Sequence, residues 1–435
     1  MQDVPIIVWN YPMQNNEIET QTGCEDELST GLLTVAEARA RIMGGVNALT
    51  AAETLPLRET LGRVLAENIV APINVPAHTN SAMDGYAIRA ADLPVDGMRE
   101  FLVPGTSWAG RPYLGPSGPG EAVQIMTGGM MPNGMDTVIM QEQVERDGDR
   151  VRIGSGHKAG QNIRAAGEDI KKGQAVLATG KHLTAADIGV LASLGLTEVS
   201  VYRRLKVAFF STGDELRAVG EPLGPGEIHD SNRYTLYGML KKLDVEIIDM
   251  GVVKDQRELV EQALKKAAAC ADVIITSGGV SVGEADFVKE MLEKLGSMSF
   301  WKIAMKPGRP LSFGLLDDAV FFGLPGNPVS VMVTFFQFVR PALLKMSGET
   351  DAASVYSVRA CTTTALRKRP GRFEFQRGVL EQSVPGEFTV RSVGAQGSSI
   401  LRSMSEANCF IMLEPDQASV EIGQEVLVQP FQNLI

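Results

Sequence analysis

The chain has 435 residues, of which 44% are hydrophobic, so it is long enough to form several domains with separate cores. Its formal net charge of −11 argues against a protein that coats nucleic acid. The four cysteines include no CxxC pair and the four histidines form no ligand-spaced cluster, which argues against a disulfide framework, structural zinc and histidine-ligated zinc catalysis.

Membrane and export signals are weak. The longest apolar run, residues 329–339, is short of the ~20 residues that span a bilayer, and Thr334 and Gln337 interrupt it. The apolar residues 5–9 lack a preceding basic region, so they do not form a convincing signal peptide. We expect a cytoplasmic protein that binds neither membrane nor nucleic acid.

The N-terminal residues 1–30 carry scattered prolines, amides and an acidic run, which predicts a mobile extension. A partner-binding tail is the alternative. Order begins at Thr34, which forms a capping box with Glu37 and predicts a helix to about Gly44. Apolar residues on one face also predict a helix over residues 59–68.

Short β-favouring pieces between glycines and prolines predict a small all-β module over residues 76–165. A helix and a strand follow, with a helix start at Thr184 and Asp187. The β module is therefore predicted to be inserted in an elongated, discontinuous domain of residues 31–75 and 166–204.

Strands and helices alternate over residues 205–350, which predicts a three-layer α/β domain with a mainly parallel sheet. The GxGxxG and Walker A signatures are missing from it. Residues 351–435 lose the helical period and predict a small C-terminal β-barrel. The predicted fold class is multidomain, α/β plus β.

The most informative stretch is residues 272–286, in which a buried strand runs into a glycine-rich loop and then a helix. Such a turn directs backbone N–H groups at one point, where an anion binds. The predicted anion-binding residues are Ser277, Gly278, Gly279 and Ser281. An ordinary strand-to-helix turn is the alternative.

Other predicted strands also end in polar groups. One ends at Thr212, Gly213, Asp214 and Glu215, the next leads to Asp255, and the glycine-rich loop leads to Asp286. Because ligands bind at the carboxyl ends of parallel strands, these groups are expected to converge. Hard carboxylate oxygens suit Mg²⁺, with Glu215, Asp255 and Asp286 as its predicted ligands. Each acid alone is equally well explained as a helix cap or a solvated loop residue.

Two later strand ends add positive charge and rigidity. Lys302, Lys306 and Arg309 supply cations that the acidic chain otherwise lacks. Residues 323–328 place two prolines around a glycine just before a helix, which predicts a stiff loop with N–H groups free to bind an anion. A connection needed only for folding is the alternative.

Seven segments in this order resemble the molybdopterin molybdenumtransferase family, whose eukaryotic relatives include the gephyrin E domain. They are Asn80-Ser-Ala-Met-Asp-Gly-Tyr86, Met126-Thr-Gly128, Gly167-Glu-Asp169, Ser211-Thr-Gly-Asp-Glu-Leu216, residues 277–286, Lys306-Pro-Gly-Arg-Pro310 and Gly323-Leu-Pro-Gly-Asn-Pro328. The resemblance runs from about Leu33 to the C-terminus. The chain departs from the family in the glycines after Thr127 and in Arg309, where a lysine is frequent.

The resemblance implies an enzyme that takes adenylylated molybdopterin and molybdate, requires Mg²⁺ and releases AMP. It also implies a homodimer of four-domain subunits in which the active site is shared between the α/β domain of one subunit and the β module of the other. Contacts with an adenylyltransferase and with molybdoenzymes are expected to be transient.

The resemblance also assigns roles to residues. The functional acids match Asp84, Asp169, Glu215, Asp255 and Asp286. Thr127 matches a functional threonine of the family, and Pro325 and Pro328 match functional prolines. With the strand-end and proline loops described above, the predicted substrate-binding residues are Thr127, Thr212, Gly213, Asp214, Ser277, Gly278, Gly279, Ser281, Pro325, Gly326, Asn327 and Pro328. The molybdate pocket matches Lys306, Pro307, Ser330, Arg377 and Ser398.

Two other functions remain open at this point. One is a molybdopterin adenylyltransferase, which makes the adenylylated pterin instead of consuming it. The other is a non-catalytic molybdopterin-binding scaffold. The flanking β modules and the set of acids favour insertion over both.

Overall fold

The computed structural model describes residues 32–278, 294, 296–350, 356–383 and 386–431. The chain divides into two compact units, a smaller one of Thr54–Val201 and a larger one of Met1–Glu53 with Tyr202–Ile435. The predicted N-terminal extension lies outside the described residues. The finer domain boundaries given above stay a prediction.

The first helix, α1 (Val35–Gly45), begins at the predicted capping box. The Thr34 hydroxyl accepts the Glu37 N–H at 3.1 Å, and the Glu37 carboxylate accepts the Thr34 N–H at 2.8 Å. These bonds satisfy backbone donors that a helix leaves unpaired at its N-terminus. The helix buries Ala38 and Ile42 in the core of the larger unit.

Short strands make up most of the smaller unit. The elements are β1 (Ala52–Pro56), β2 (Ile69–Val70), β3 (Asn80–Ser81), β4 (Gly85–Ile88), β5 (Met98–Leu102), β6 (Thr106–Ser107), β7 (Val123–Ile125), β8 (Thr137–Met140), β9 (Val144–Asp147), β10 (Arg150–Gly154), β11 (Ile163–Arg164), β12 (Ala175–Leu177), α2 (Ala185–Ser193) and β13 (Glu198–Tyr202). Their sheets have the orders β6-β7-β4-β8 and β5-β10-β9, with the pairs β1-β13, β2-β12 and β3-β11.

Strand β4 lies inside the four-stranded sheet and is buried on both faces. Tyr86 and Ile88 contribute to one apolar cluster, and Ala87 contributes to another. Because side chains alternate across a strand, this short segment joins two small cores.

The helix predicted over residues 59–68 is wrong. Leu57–Glu59 forms one 3₁₀ turn, Gly62 takes a φ of +77°, and Val64 and Leu65 are extended and form isolated bridges to His182 and Val201. Pairing with distant segments and the left-handed glycine override the local apolar spacing.

The larger unit contains the predicted α/β sheet. Its strands are β14 (Lys206–Thr212), β15 (Leu216–Arg217), β16 (Ile228–His229), β17 (Glu246–Val253), β18 (Val273–Ser277), β19 (Gly296–Lys302), β20 (Met305–Lys306), β21 (Pro310–Leu316) and β22 (Ala319–Leu324). The main sheet has the order β17-β14-β18-β22-β21-β19, and its first four strands are parallel. The prediction of a mainly parallel sheet is confirmed.

Helices cover both faces of this sheet. They are α3 (Ser231–Lys241), α4 (Arg257–Ala268), α5 (Pro328–Thr334) and α6 (Arg340–Met346), with a π-helical turn, Phe335–Val339, between the last two. Helix α4 packs Val260 and Leu264 against Phe210 on one face of β14, while α3 packs Leu236 in the cluster of Phe209 on the other. The result is the predicted three-layer arrangement.

The C-terminal part of the larger unit is a closed barrel. Its elements are β23 (Val358–Thr362), β24 (Phe373–Gln382), β25 (Phe388–Ser392), α7 (Arg402–Glu406), β26 (Cys409–Leu413) and β27 (Glu425–Pro430). The order β24-β25-β23-β27-β26 closes because β26 also pairs with β24. Strand β20 adds to β24 in parallel, so the barrel is joined to the α/β part by backbone pairing. The predicted barrel is confirmed.

Candidate active site

A cleft of about 920 Å³ lies within the larger unit, at the carboxyl ends of β14, β18 and β22. Thr212 and Ser277, the last residues of β14 and β18, line it together with the loop that follows β22. The barrel contributes Arg372 and residues 396–399. Since ligands bind at the carboxyl ends of parallel strands, this cleft is the candidate active site.

Many predicted site residues line the cleft together. They are Thr212, Gly213, Glu215, Asp255, Ser277, Gly278, Lys306, Pro307, Pro325, Gly326, Asn327, Pro328, Ser330 and Ser398. Three other predicted residues, Gly279, Ser281 and Asp286, lie outside the described residues.

Gly278 holds the first loop close to the neighbouring strand ends. Its φ is +92°, and a Cβ atom there would lie 2.5 Å from the Thr212 carbonyl oxygen. Its N–H donates to the Leu324 carbonyl at 3.1 Å. Only glycine can adopt this positive φ while its Cα lies so close to the Thr212 carbonyl. The structure therefore explains why a glycine occupies this position of the loop.

Asn232, the second residue of α3, was missed by the sequence predictions. Its side chain is 9% exposed and lines the cleft. Its Nδ2 donates to the Ser277 hydroxyl at 2.8 Å and to the Gly326 carbonyl at 2.7 Å. The only local signal is the polar run Asp230-Ser-Asn at a helix start, where Asp230 serves as the N-cap. That run is typical of capping alone, so the two long-range bonds were not predictable.

Acidic groups gather on one side of the cleft. The Asp255 N–H lies 3.3 Å from an Asp214 carboxylate oxygen, and Glu215 lines the same region. Burial raises the pKa of Asp255, and the negative charges of Asp214 and Glu215 raise it further. Neighbouring carboxylates oppose each other's ionisation, and a bound cation offsets this repulsion and stabilises their charged forms.

This donor set fits Mg²⁺ in part. Asp255 and Glu215 offer hard oxygen ligands whose mutual repulsion a cation relieves. No group of three acidic, histidine or cysteine side chains able to hold a metal ion occurs within the described residues. The third predicted ligand, Asp286, belongs to the part of the chain that the structure does not describe.

The cleft is also lined by positively charged side chains. Lys306 and Arg309 both line it, whereas the exposed Lys302 does not. The Lys306 ammonium lies 3.5 Å from the carboxylate of Glu374, which is buried in the barrel. Strand pairing of β20 with β24 sets Lys306 directly beside Glu374. The cleft thus offers cations for an anionic ligand near acids suited to a metal.

Arg377, a predicted molybdate ligand, is buried next to the loop that carries Ser398. It is 1% exposed, and its guanidinium donates to the Gly397 carbonyl at 3.0 Å and to the Ser403 hydroxyl at 3.1 Å. Burial lowers its pKa to about 10, so it stays cationic at neutral pH. Arg377 therefore shapes the loop that carries Ser398, and it is absent from the cleft lining formed by the described residues.

Three predicted site residues belong to the smaller unit. Asp84 accepts the backbone N–H of Thr127 at 2.7 Å and its hydroxyl at 2.8 Å. Both hydrogen bonds lower the pKa of Asp84 and keep it ionised, and the bond from the backbone N–H has the larger effect. Asp169 is exposed, and its N–H donates to the Val75 carbonyl at 3.1 Å.

Three family profiles match the chain in order. They are the MoeA N-terminal region (domain I and II) at residues 33–195, a probable molybdopterin binding domain at residues 208–345 and the MoeA C-terminal region (domain IV) at residues 359–431. A molybdopterin molybdenumtransferase from Haemophilus influenzae is 46% identical over 93% of this chain and 100% of its own length. The chain belongs to the molybdopterin molybdenumtransferase family.

Other relatives agree with this assignment. A molybdopterin molybdenumtransferase from Nostoc sp. is 35% identical over 86% of this chain and 88% of its own length. The gephyrin of Dictyostelium discoideum is 32% identical over 88% of this chain and 60% of its own length. A crystal structure of a molybdopterin biosynthesis moeA protein from Pyrococcus horikoshii has a TM-score of 0.81 at 32% identity, covering 92% of this chain and 100% of that one.

As a molybdopterin molybdenumtransferase family member, the chain is a transferase with a role in molybdenum cofactor biosynthesis. One helix among the described residues, Pro328–Met346, is long and apolar enough to cross a membrane, but 83% of its apolar window is buried inside the protein. That degree of burial is typical of a core helix.

Proposed function

We propose that this chain inserts molybdenum: it uses molybdate and adenylylated molybdopterin, releases AMP and leaves molybdenum on the pterin dithiolene. The observation that carries the proposal is the cleft itself. It combines the strand-end residues Ser277 and Gly278, a proline loop, acids and lysine and arginine cations within one unit. A substrate with two linked phosphates and a second, oxyanionic substrate match this chemistry.

Each wall of the cleft has a proposed role. Thr212, Gly213, Ser277, Gly278 and the loop of residues 325–328 bind the phosphates and position the bond that breaks. Lys306, Pro307, Ser330 and Ser398 bind molybdate, and Arg377 supports the Ser398 loop from beneath. An oxygen of molybdate or water forms a bond to the phosphorus of the pterin phosphate as the bond from that phosphorus to the bridging oxygen breaks, and AMP leaves with the bridging oxygen and the electron pair. The dithiolene sulfurs then replace oxygens of molybdate, which leave as water.

Mg²⁺ belongs to the proposal as the resident cation. Glu215, Asp255 and Asp286 are the residues that would hold it. When bound, it neutralises phosphate charge as the phosphoanhydride is cleaved. Burial raises the pKa of Asp255, and the negative charges of Asp214 and Glu215 raise it further. A bound cation would offset the repulsion between these carboxylates.

The working form is proposed to be a cytoplasmic homodimer. The support is the family resemblance, in which the β module of one subunit completes the active site of the other. In this chain the residues concerned are Asp84, Thr127 and Asp169. The hydrogen bonds from Thr127 keep the Asp84 carboxylate ionised and in a defined orientation. Contacts with the adenylyltransferase and the molybdoenzymes are proposed to be transient.

The deciding experiment measures AMP release from adenylylated molybdopterin with and without molybdate at fixed Mg²⁺. Release that requires molybdate, together with formation of an active pterin cofactor, supports insertion. Consumption of ATP and free molybdopterin would instead make the chain an adenylyltransferase. Binding of the pterin without any AMP release would make it a scaffold.

A further inference from the structure

Asn232 connects two loops that the proposed function assigns to the phosphates. It lies at the start of α3 and lines the cleft, and its Nδ2 donates to both the Ser277 hydroxyl and the Gly326 carbonyl. Ser277 ends β18 and Gly326 follows β22, so one amide nitrogen bridges the ends of neighbouring parallel strands.

The orientation of this amide is set by its partners. A backbone carbonyl only accepts hydrogen bonds, so the Gly326 oxygen requires Nδ2 on its side. The Ser277 hydroxyl then accepts the second Nδ2 hydrogen and keeps its own proton to donate elsewhere. Asn232 therefore orients the Ser277 hydroxyl as a donor for another group.

The arrangement leaves the other end of the amide unsatisfied. Asn232 Oδ1 is buried and has no hydrogen-bond partner among the described residues. Among the described residues, both hydrogen bonds of the Asn232 side chain therefore run to the two strand-end loops.

We infer that Asn232 is a positioning residue for the proposed reaction. It holds the Ser277–Gly278 loop and the Gly326 loop at a fixed separation and turns the Ser277 hydroxyl toward the phosphates. This inference rests on the proposed function. A second tie, from the Gly278 N–H to the Leu324 carbonyl, keeps the strand ends paired when the amide is removed. Loss of Asn232 therefore loosens the loops without unfolding the sheet.

The test uses Asn232→Ala and Asn232→Asp in the full-length protein, with Asn408→Ala as the matched control. The Asn408 amide also bridges backbone groups, the N–H and carbonyl of Leu380, but it lies in the barrel outside the cleft lining. We expect kcat for AMP release to fall on the order of 10²-fold in both Asn232 variants, because small displacements of positioning groups have large rate effects. KM changes less, and Asn408→Ala keeps the wild-type kcat.

A double-mutant cycle with Ser277→Ala separates positioning from a general structural role. Ser277→Ala alone is expected to lower kcat roughly tenfold, in line with one lost hydrogen bond. In the Asn232→Ala background it should add almost nothing, because the hydroxyl is already misoriented. Effects that multiply, or an Asn232→Ala kcat close to that of wild type, would overturn the inference.

Hydrogen exchange provides a readout that is independent of activity. The amides of Gly326 and Asn327 should exchange faster in Asn232→Ala than in wild type or Asn408→Ala, while those of β14, β18 and β22 stay protected. If the wild-type protein releases no AMP, the proposed function fails, and exchange still decides whether Asn232 ties the loops. Unchanged exchange at Gly326 and Asn327 would contradict the tie.

Discussion

At the residue scale, Asp255 is a carboxylate whose surroundings oppose its ionisation. Burial raises its pKa first, and the charges of Asp214 and Glu215 raise it further. A carboxyl whose pKa is raised on folding binds its proton more tightly in the folded state. Its contribution to stability is therefore greatest at low pH and is lost as the pH rises through the folded pKa.

The substitution Asp255→Asn separates function from stability. AMP release in Mg²⁺ is expected to fall on the order of 10²-fold or more, because the substitution removes a proposed metal ligand. Thermal stability in metal-free buffer at neutral pH should stay equal or rise, since a destabilising charge is removed. Thermal melts at several pH values and AMP assays measure both effects.

The control for this prediction is Asp147→Asn, which removes an exposed carboxylate of the smaller unit. It should change neither property. The stability difference between wild type and Asp255→Asn should shrink as the pH falls toward the ordinary range of an aspartate. A difference that grows on acidification would contradict the sign of the pKa shift.

Local context in the sequence was sufficient to predict that several polar residues lie close together. Glu215, Asp255 and Ser277 follow strand ends in the sequence, and all three line the cleft. Arg377 also sits on a strand, but the sequence contains nothing to show that its guanidinium is buried beneath the Ser398 loop. Burial depends on how distant segments pack, so the family match named the residue without its contacts.

At the element scale, the strand-end loop at Gly278 requires a residue without a Cβ atom. Two separate costs oppose a larger residue here: the positive φ, and the 2.5 Å that would separate an added Cβ atom from the Thr212 carbonyl oxygen. Gly220 has a similar φ of +95° with open space around its Cβ position. The two glycines therefore form a matched pair in which only one has the steric conflict.

We expect Gly278→Ala to be clearly more destabilising than Gly220→Ala. The left-handed conformation costs about 1 kcal/mol in either variant, and the clash at Gly278 adds about 1–3 kcal/mol of local strain. Denaturant unfolding gives the difference, and AMP release should be lost only in Gly278→Ala. Equal destabilisation of the two variants would show that the close approach to Thr212 is unimportant.

Helices whose starts are fixed by hydrogen bonds between neighbouring residues were predicted correctly. A segment whose conformation is set by pairing with distant residues was not. The capping boxes of α1 and α2 marked both helix starts, because their bonds join residues only three apart. The segment after Leu57 had helical spacing but became extended, because Val64 and Leu65 bridge partners more than a hundred residues away. Tertiary pairing decided that segment.

At the scale of the whole molecule, the proposed shared active site makes a prediction about mixed dimers. Asp84→Ala and Asp255→Ala each remove one part of the site from a different region of the chain. If the two parts come from different subunits, a mixed dimer keeps one intact site and one doubly damaged site.

Co-refolding the two inactive variants in equal amounts should therefore restore roughly a quarter of wild-type AMP release. Each variant refolded alone serves as its control and should remain inactive. Sedimentation of the mixture verifies that dimers form. Activity that stays at the level of the single variants would place both residues in one site of a single chain.

Sequence alone was enough to establish the order of the segments, the mainly parallel α/β sheet and the C-terminal barrel. These follow from periodicity, capping and glycine loops, whose physical causes act between residues close along the chain. The family was recognised from the resemblance of seven short segments, in order, to its motifs. Tertiary packing was needed to establish the bridge from Asn232 to Ser277 and Gly326, the pairing of Lys306 with Glu374 and the burial of Arg377. Each of these contacts joins groups from separate elements, whose distance is set only when the sheet, its helices and the barrel pack together.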